Sequence, residues 1–177
     1  QTKAKEQIQM QVGLSYTNIE NARNNRDSEA TGKSFDDVKN AAHQTWNEML
    51  SRIQVEGGTE DDKTVFYSSF YRTFERPICM SEDGRYFSAF DGKVHEDNGT
   101  PFYTDDWIWD TYRAAHPLRT LIDQQKEEDI IASYLRMAEQ MGNMWMPTFP
   151  EVTGDTRRMN SNHAVATVAD ALAKGLK

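Results

Sequence analysis

SFDDVKNAAHQTWNEMLSRI, residues 34–53, is the stretch that decides the fold class. Ser34 followed three residues later by Asp37 has the pattern of a capping box, in which each side chain satisfies the other's otherwise orphaned backbone N–H. Phe35, Val38, Ala42, Trp46, Met49, Leu50 and Ile53 then recur at helical spacing and form one apolar stripe. Gly57 and Gly58 stop this helix, and Thr59 with Asp62 opens a second. Its stripe is Val65, Phe66, Ser69, Phe70, Thr73 and Phe74, and it ends before Pro77. The two are expected to form a helical hairpin.

Upstream of residue 34 the period is 2. Ile8, Met10, Val12, Leu14 and Tyr16 alternate with Gln7, Gln9, Gln11 and Ser15, the pattern of a half-buried strand. A lone strand satisfies neither its ladder hydrogen bonds nor its apolar face, so residues 1–25 read as the last strand of a β-domain whose other strands lie elsewhere. Downstream, residues 85–90 suit a short strand, with turns at Asp91-Gly92 and Asn98-Gly99. A third helical region covers about residues 107–123, interrupted or kinked near Pro117. In a fourth, Ile130, Ile131, Tyr134, Leu135, Ala138 and Met141 share a face up to Gly142. Residues 144–160 form a long loop, and a last helix carries Ala164, Val165, Val168, Ala169 and Leu172. The expectation is a mainly α chain, cut at both ends.

With 20 Lys+Arg against 28 Asp+Glu the formal charge is −8, and no basic cluster exists to track a phosphate backbone. No apolar run approaches the roughly 20 residues of a helical membrane span. Cys79 is the single cysteine, which excludes a disulfide framework or a cysteine metal site. His43, His95, His116 and His163 lack zinc-ligand spacing, and His116 and His163 read as structural.

Chemically able groups are densest at residues 104–113, TDDWIWDTYR. Three carboxylates, two indoles and a guanidinium suit a sugar site, where carboxylates accept hydroxyl hydrogen bonds and indoles cover apolar sugar faces. Asp105 and Asp106 equally suit a helix N-terminus, Asp110 and Arg113 a surface i, i+3 pair, and Trp107 or Trp109 a core position. The long loop adds Trp145, Phe149, Glu151, Asp155, Arg157 and Arg158, which also fit solvated loop decoration. No nucleophile elbow, P-loop or dinucleotide turn is present.

Residues 67–74 (YSSFYRTF), 90–95 (FDGKVH), 109–122 (WDTYRAAHPLRTLI) and 163–175 (HAVATVADALAKG) resemble, in order, successive blocks of glycoside hydrolase family 92, the bacterial exo-acting α-mannosidases. Residues 12–22 (VGLSYTNIENA) and 46–53 (WNEMLSRI) resemble the family's approach to its helical part. The sequence departs from the family at the acidic Asp105-Asp106 and at Met159-Asn160-Ser161-Asn162-His163, where Gly-Asp-His is frequent.

The resemblance implies an N-terminal β-sandwich followed by an (α/α)6 barrel. Residues 1–25 would close the sandwich, residues 26–60 would be linker helices, and residues 61–177 the first portion of the barrel. It implies a calcium-dependent, inverting exo-α-mannosidase, with an α-1,2 preference expected, acting on mannose-containing glycans and exported to the periplasm, cell surface or medium. The acid, the base and the calcium ligands are expected beyond Lys177, so the remainder of the chain is the obligatory partner and this segment alone is expected to be inactive. Asp110 is the residue the resemblance assigns to the terminal mannose, flanked by Trp109 and Arg113. The alternative is a self-sufficient, non-catalytic helical module that binds a glycan or a protein.

Overall fold

The structure, a computed structural model, describes residues 5–159 and 162–177. It divides into two compact units, one up to Gln54 and the other from Val55. Two residues of the predicted long loop, Asn160 and Ser161, and the first four of the predicted strand region lie outside the described residues.

In the first unit, α1 spans Ile19–Glu29 and α2 spans Phe35–Leu50. The capping box of α2 forms as read: Asp37 N–H donates to Ser34 Oγ at 3.2 Å, and Ser34 N–H donates to Asp37 Oδ2 at 2.9 Å. The helix stops at Leu50, short of Ile53, and none of its residues is fully buried. Helix α1 has no counterpart in the sequence reading, and the boundary expected at residue 25 falls inside it. Its cause is local, not hydrophobic: Asn18 accepts the Asn21 N–H at 2.9 Å and caps the first turn.

The predicted strand does not form. Residues 5–16 join no sheet, and Ile8, Met10, Val12 and Leu14 are all between 63% and 83% exposed. The segment instead bonds to α1 and its end: Asn25 Nδ2 donates to Leu14 O at 2.8 Å, and Gln11 Nε2 donates to Ala30 O at 2.9 Å. At Gly13 the backbone lies so close to α1 that a Cβ would stand 1.9 Å from Ala22 O, which only glycine permits.

The second unit begins with α3, Glu60–Arg72, whose Thr59–Asp62 capping box also forms as read. Four short strands follow, β1 (Ile78–Cys79), β2 (Arg85–Ser88), β3 (Lys93–Glu96) and β4 (Tyr103–Thr104). β1 pairs antiparallel with β4, and β2 with β3 across the Asp91-Gly92 turn, in the register Arg85↔Glu96 to Ser88↔Lys93. Then come α4 (Ile108–Thr111), α5 (Ala115–Ile122) and α6 (Gln124–Gln140). A two-residue hairpin, β5 (Pro150–Glu151) with β6 (Gly154–Asp155), precedes α7 (His163–Ala173). The described residues are thus mainly α.

Two expectations are corrected here. The third helical region is indeed interrupted, but at residues 112–114, just before α5, and not by Pro117 itself. Pro117 lies in the first turn of α5, where the missing N–H has no partner to lose. The loop at 144–160 is not structureless. Asp155 accepts from Thr148 N–H (3.0 Å), Thr148 Oγ1 (3.0 Å), Phe149 N–H (2.9 Å) and Arg157 N–H (3.1 Å), which folds the loop around one carboxylate.

Helix α6 is the spine of the core. Ile130, Tyr134 and Met137 are fully buried against Met80, Tyr86, Phe102, Ile108 and Ala164, whereas Leu135 stays 48% exposed. Deleting buried methyl groups costs both transfer free energy and a cavity. Ile130→Ala is therefore expected to destabilise by about 2–5 kcal/mol and Leu135→Ala by under about 1 kcal/mol, measured by urea unfolding of the full protein.

Candidate functional site

The site grows from the segment between β4 and α4. Asp105 takes a left-handed backbone conformation (φ 63°), so it and Asp106 face different surroundings. Asp105 binds Arg76 at 2.5 Å, and the Arg76 guanidinium lies 4.0 Å over the Trp107 ring, which stacks on Phe149 at 5.6 Å. Backbone bonds tie the segment to the β5 hairpin: Asp106 N–H donates to Pro150 O at 3.0 Å, and Thr104 Oγ1 donates to Glu151 O at 3.2 Å. Neither aspartate caps α4, whose N-cap is Trp107 without a side-chain bond.

Asp106 instead enters a buried ionic network. His116, on α5, bridges two carboxylates, with Nε2 2.8 Å from Asp106 Oδ2 and Nδ1 2.7 Å from Glu127 Oε1 on α6. Tyr134 donates to Asp106 Oδ2, and Thr111 Oγ1 donates to Oδ1 at 2.9 Å. Arg119 Nη1 faces Glu127 Oε2 at 3.6 Å, while Nη2 donates to Thr73 O (3.3 Å) and Arg76 O (2.6 Å) at the end of α3. Asp106, His116, Arg119, Glu127 and Tyr134 are all buried.

Two carboxylates and two cations cancel, which lets such groups lie in a low-dielectric interior. Burial alone would strip the proton from His116, but its bonds to Asp106 and Glu127 win and hold its pKa above the ordinary value of 6.5. Arg119 Nη1 lies 3.2 Å from His116 Nδ1, an approach of two cations that Glu127 offsets. Burial likewise pushes Asp106 upward, and the His116 hydrogen bond outweighs it, leaving Asp106 below 3.8. Burial first, and Asp106 second, drive the Tyr134 hydroxyl well above 10.0, so it stays a donor.

Of the residues singled out from sequence, Asp110 is exposed on α4 and lines a cleft of about 310 Å³ with Ser69, Arg72, Arg76 and Arg119. Trp109 is half-buried and outside that cleft, with the Arg113 guanidinium 5.8 Å from its ring centroid and 5.7 Å from that of Tyr112. The i, i+3 pair of Asp110 with Arg113 does not appear among the ion pairs of the described residues. Trp145 and Arg157 line a separate groove of about 470 Å³ with Met144, Met146 and Val165, while Glu151 meets Arg158 at 3.4 Å. His163 packs on Tyr112 at 4.4 Å.

Sequence reasoning missed Glu127 and the ionic role of His116. The signal was present: Glu127 falls on the same helical face as Ile130 and Tyr134, and a charge in an apolar stripe needs a buried partner. Among the described residues no group of three or more His, Cys, Asp or Glu is disposed to hold a metal ion.

Residues 21–177 match the family model of the glycosyl hydrolase family 92 catalytic domain. The fold is similar to that of a family 92 α-mannosidase from Bacteroides thetaiotaomicron in complex with mannoimidazole, with a TM-score of 0.86 and 28% identity over 92% of this chain and 21% of that one. A family 92 inverting mannosidase from the same organism gives a TM-score of 0.82 and 33% identity over 92% of this chain and 22% of that one. The chain thus spans about a fifth of the length of these structures. No curated protein matches it.

The network sets a pH signature. With its folded pKa raised above 6.5, His116 contributes fully below about pH 6.5 and progressively less as pH climbs through the raised value. Asp106, depressed below 3.8, contributes fully above about pH 3.8 and loses its share as pH falls through the lower value. The stability gap between the native protein and His116→Gln, from urea titrations, is therefore expected to be widest between about pH 4 and 6.5 and to narrow as pH rises through the raised His116 value.

Proposed function

The chain belongs to glycosyl hydrolase family 92, and from that membership we propose that it is part of a calcium-dependent, inverting exo-α-mannosidase that releases terminal mannose, with a preference for α-1,2 links. Its α-helices from α3 onward form the first portion of an (α/α)6 barrel, and the segment before α1 adjoins an N-terminal β-sandwich. The enzyme is exported and acts on mannose-containing glycans.

The observation that carries this reading is Asp110, a carboxylate left exposed in a cleft on the segment that matches the family. An ionised carboxylate accepts hydrogen bonds from two adjacent sugar hydroxyls, and both are charge-assisted. Trp109 and Arg113 flank Asp110 in sequence but do not line its cleft, so the carboxylate is the group on which the reading rests. Inversion requires one carboxylic acid to protonate the leaving oxygen and one carboxylate to activate a water, about 6.5–9.5 Å apart. Asp105 and Asp106 serve neither role, since one is bound to Arg76 and the other is buried under His116 and Tyr134. The acid and base, and the oxygen ligands of the calcium, come from residues beyond this segment. None of the described carboxylate or histidine clusters fits the metal.

In the full-length enzyme, Asp110→Asn is expected to lower kcat/KM for release of mannose by roughly 10- to 100-fold with no change in thermal midpoint, because two charge-assisted bonds become neutral ones. Kinetics on α-1,2-mannobiose beside a melting curve checks it. Chelation with EDTA is expected to abolish turnover, and added calcium to restore it; full activity in chelator would remove calcium from the proposal.

A further inference from the structure

Resting on the role proposed for Asp110, we propose that the buried chain Glu127–His116–Asp106 is a positioning device for that carboxylate, transmitted through Thr111. Helix α4 has four residues and no side-chain cap. A helix of one turn does not hold itself, so the direction in which Asp110 points is set by tertiary contacts. The contact available is next to it in sequence: Thr111 Oγ1 donates to Asp106 Oδ1 at 2.9 Å. Asp106 in turn is fixed through Oδ2 by His116 and Tyr134 and through its N–H by Pro150 O. His116 is held from the far side by Glu127 on α6, the rigid spine of the core.

Stability alone does not call for this arrangement, since a well-packed apolar cluster of the same volume commonly serves as well as or better than a buried ion network. What ions and hydrogen bonds add is direction. Here they converge on the one short segment that carries Asp110, and Arg119, on the same network, lines the Asp110 cleft and anchors its other wall through Thr73 O and Arg76 O. Thr111, Asp106, His116 and Glu127 touch no substrate in this scheme; they are positioning residues.

The test is a double-mutant cycle in the full-length enzyme on para-nitrophenyl α-mannoside, read as kcat and KM separately, with a melting curve for each variant. Thr111→Val is expected to lower kcat/KM about tenfold or more with KM raised, because small misplacements of a binding group are costly. Thr111→Ser, which keeps the hydroxyl, is expected to restore most of it. On top of Asp110→Asn, Thr111→Val is expected to add little, since both act through one carboxylate. If Thr111→Val fails to fold, Glu127→Gln takes its place in the same cycle with the same expected coupling. Native kinetics for Thr111→Val, or losses that multiply fully in the double variant, overturn the positioning role while leaving Asp110 in place. Native kinetics for Asp110→Asn overturn the reading of Asp110 and this inference with it.

Discussion

The imidazolium of His116, clamped between Asp106 and Glu127, is the constraint on which the second unit depends. It joins α5 to α6 and both to the segment that leads into α4, and Arg119 extends the same network to the end of α3. Buried ionised groups tolerate almost no rearrangement, because removing one partner leaves its neighbour charged in a medium that cannot solvate it, at a cost of about 3–5 kcal/mol. Apolar side chains such as Ile130 and Met137 supply the bulk of the burial. The ions add directional bonds that tie α5, α6 and the segment before α4 together.

The same economy appears in the loop before α7. Asp155 gathers three backbone or hydroxyl donors from residues 148–149 and one from Arg157, so a single carboxylate shapes the β5–β6 hairpin alongside the burial of Phe149 and Pro150. That hairpin then offers its Pro150 and Glu151 carbonyls to Asp106 and Thr104. The segment that carries Asp110 is therefore held from below by the buried network and from the side by the hairpin. An exposed carboxylate on so short a helix keeps a defined direction only because its surroundings are fixed elsewhere.

Local signals were legible in the sequence, and long-range pairings were not. The two capping boxes at Ser34 and Thr59, the Asp91-Gly92 hairpin and the stripe of α6 all formed, because each is encoded within a few residues. The period-2 run before residue 16 misled, since alternation gives a chain the capacity to form a strand but no partner to pair with. Helix α1 escaped notice because it has hardly any apolar stripe and rests on the Asn18 cap. In the sequence, Asp110 was singled out through its block, and the structure leaves it exposed in a cleft. Glu127 was not, because a buried salt bridge links residues whose proximity only the fold creates.

The most direct measurement is the protonation state of His116 by nitrogen-15 NMR of the imidazole ring. If the ring is clamped between the two carboxylates, both ring nitrogens carry protons at pH 6.5, and the resonances titrate only at a pH above that ordinary value. A single-proton tautomer at pH 6.5, or titration at or below that value, would contradict the clamped imidazolium and with it the order attributed to the site.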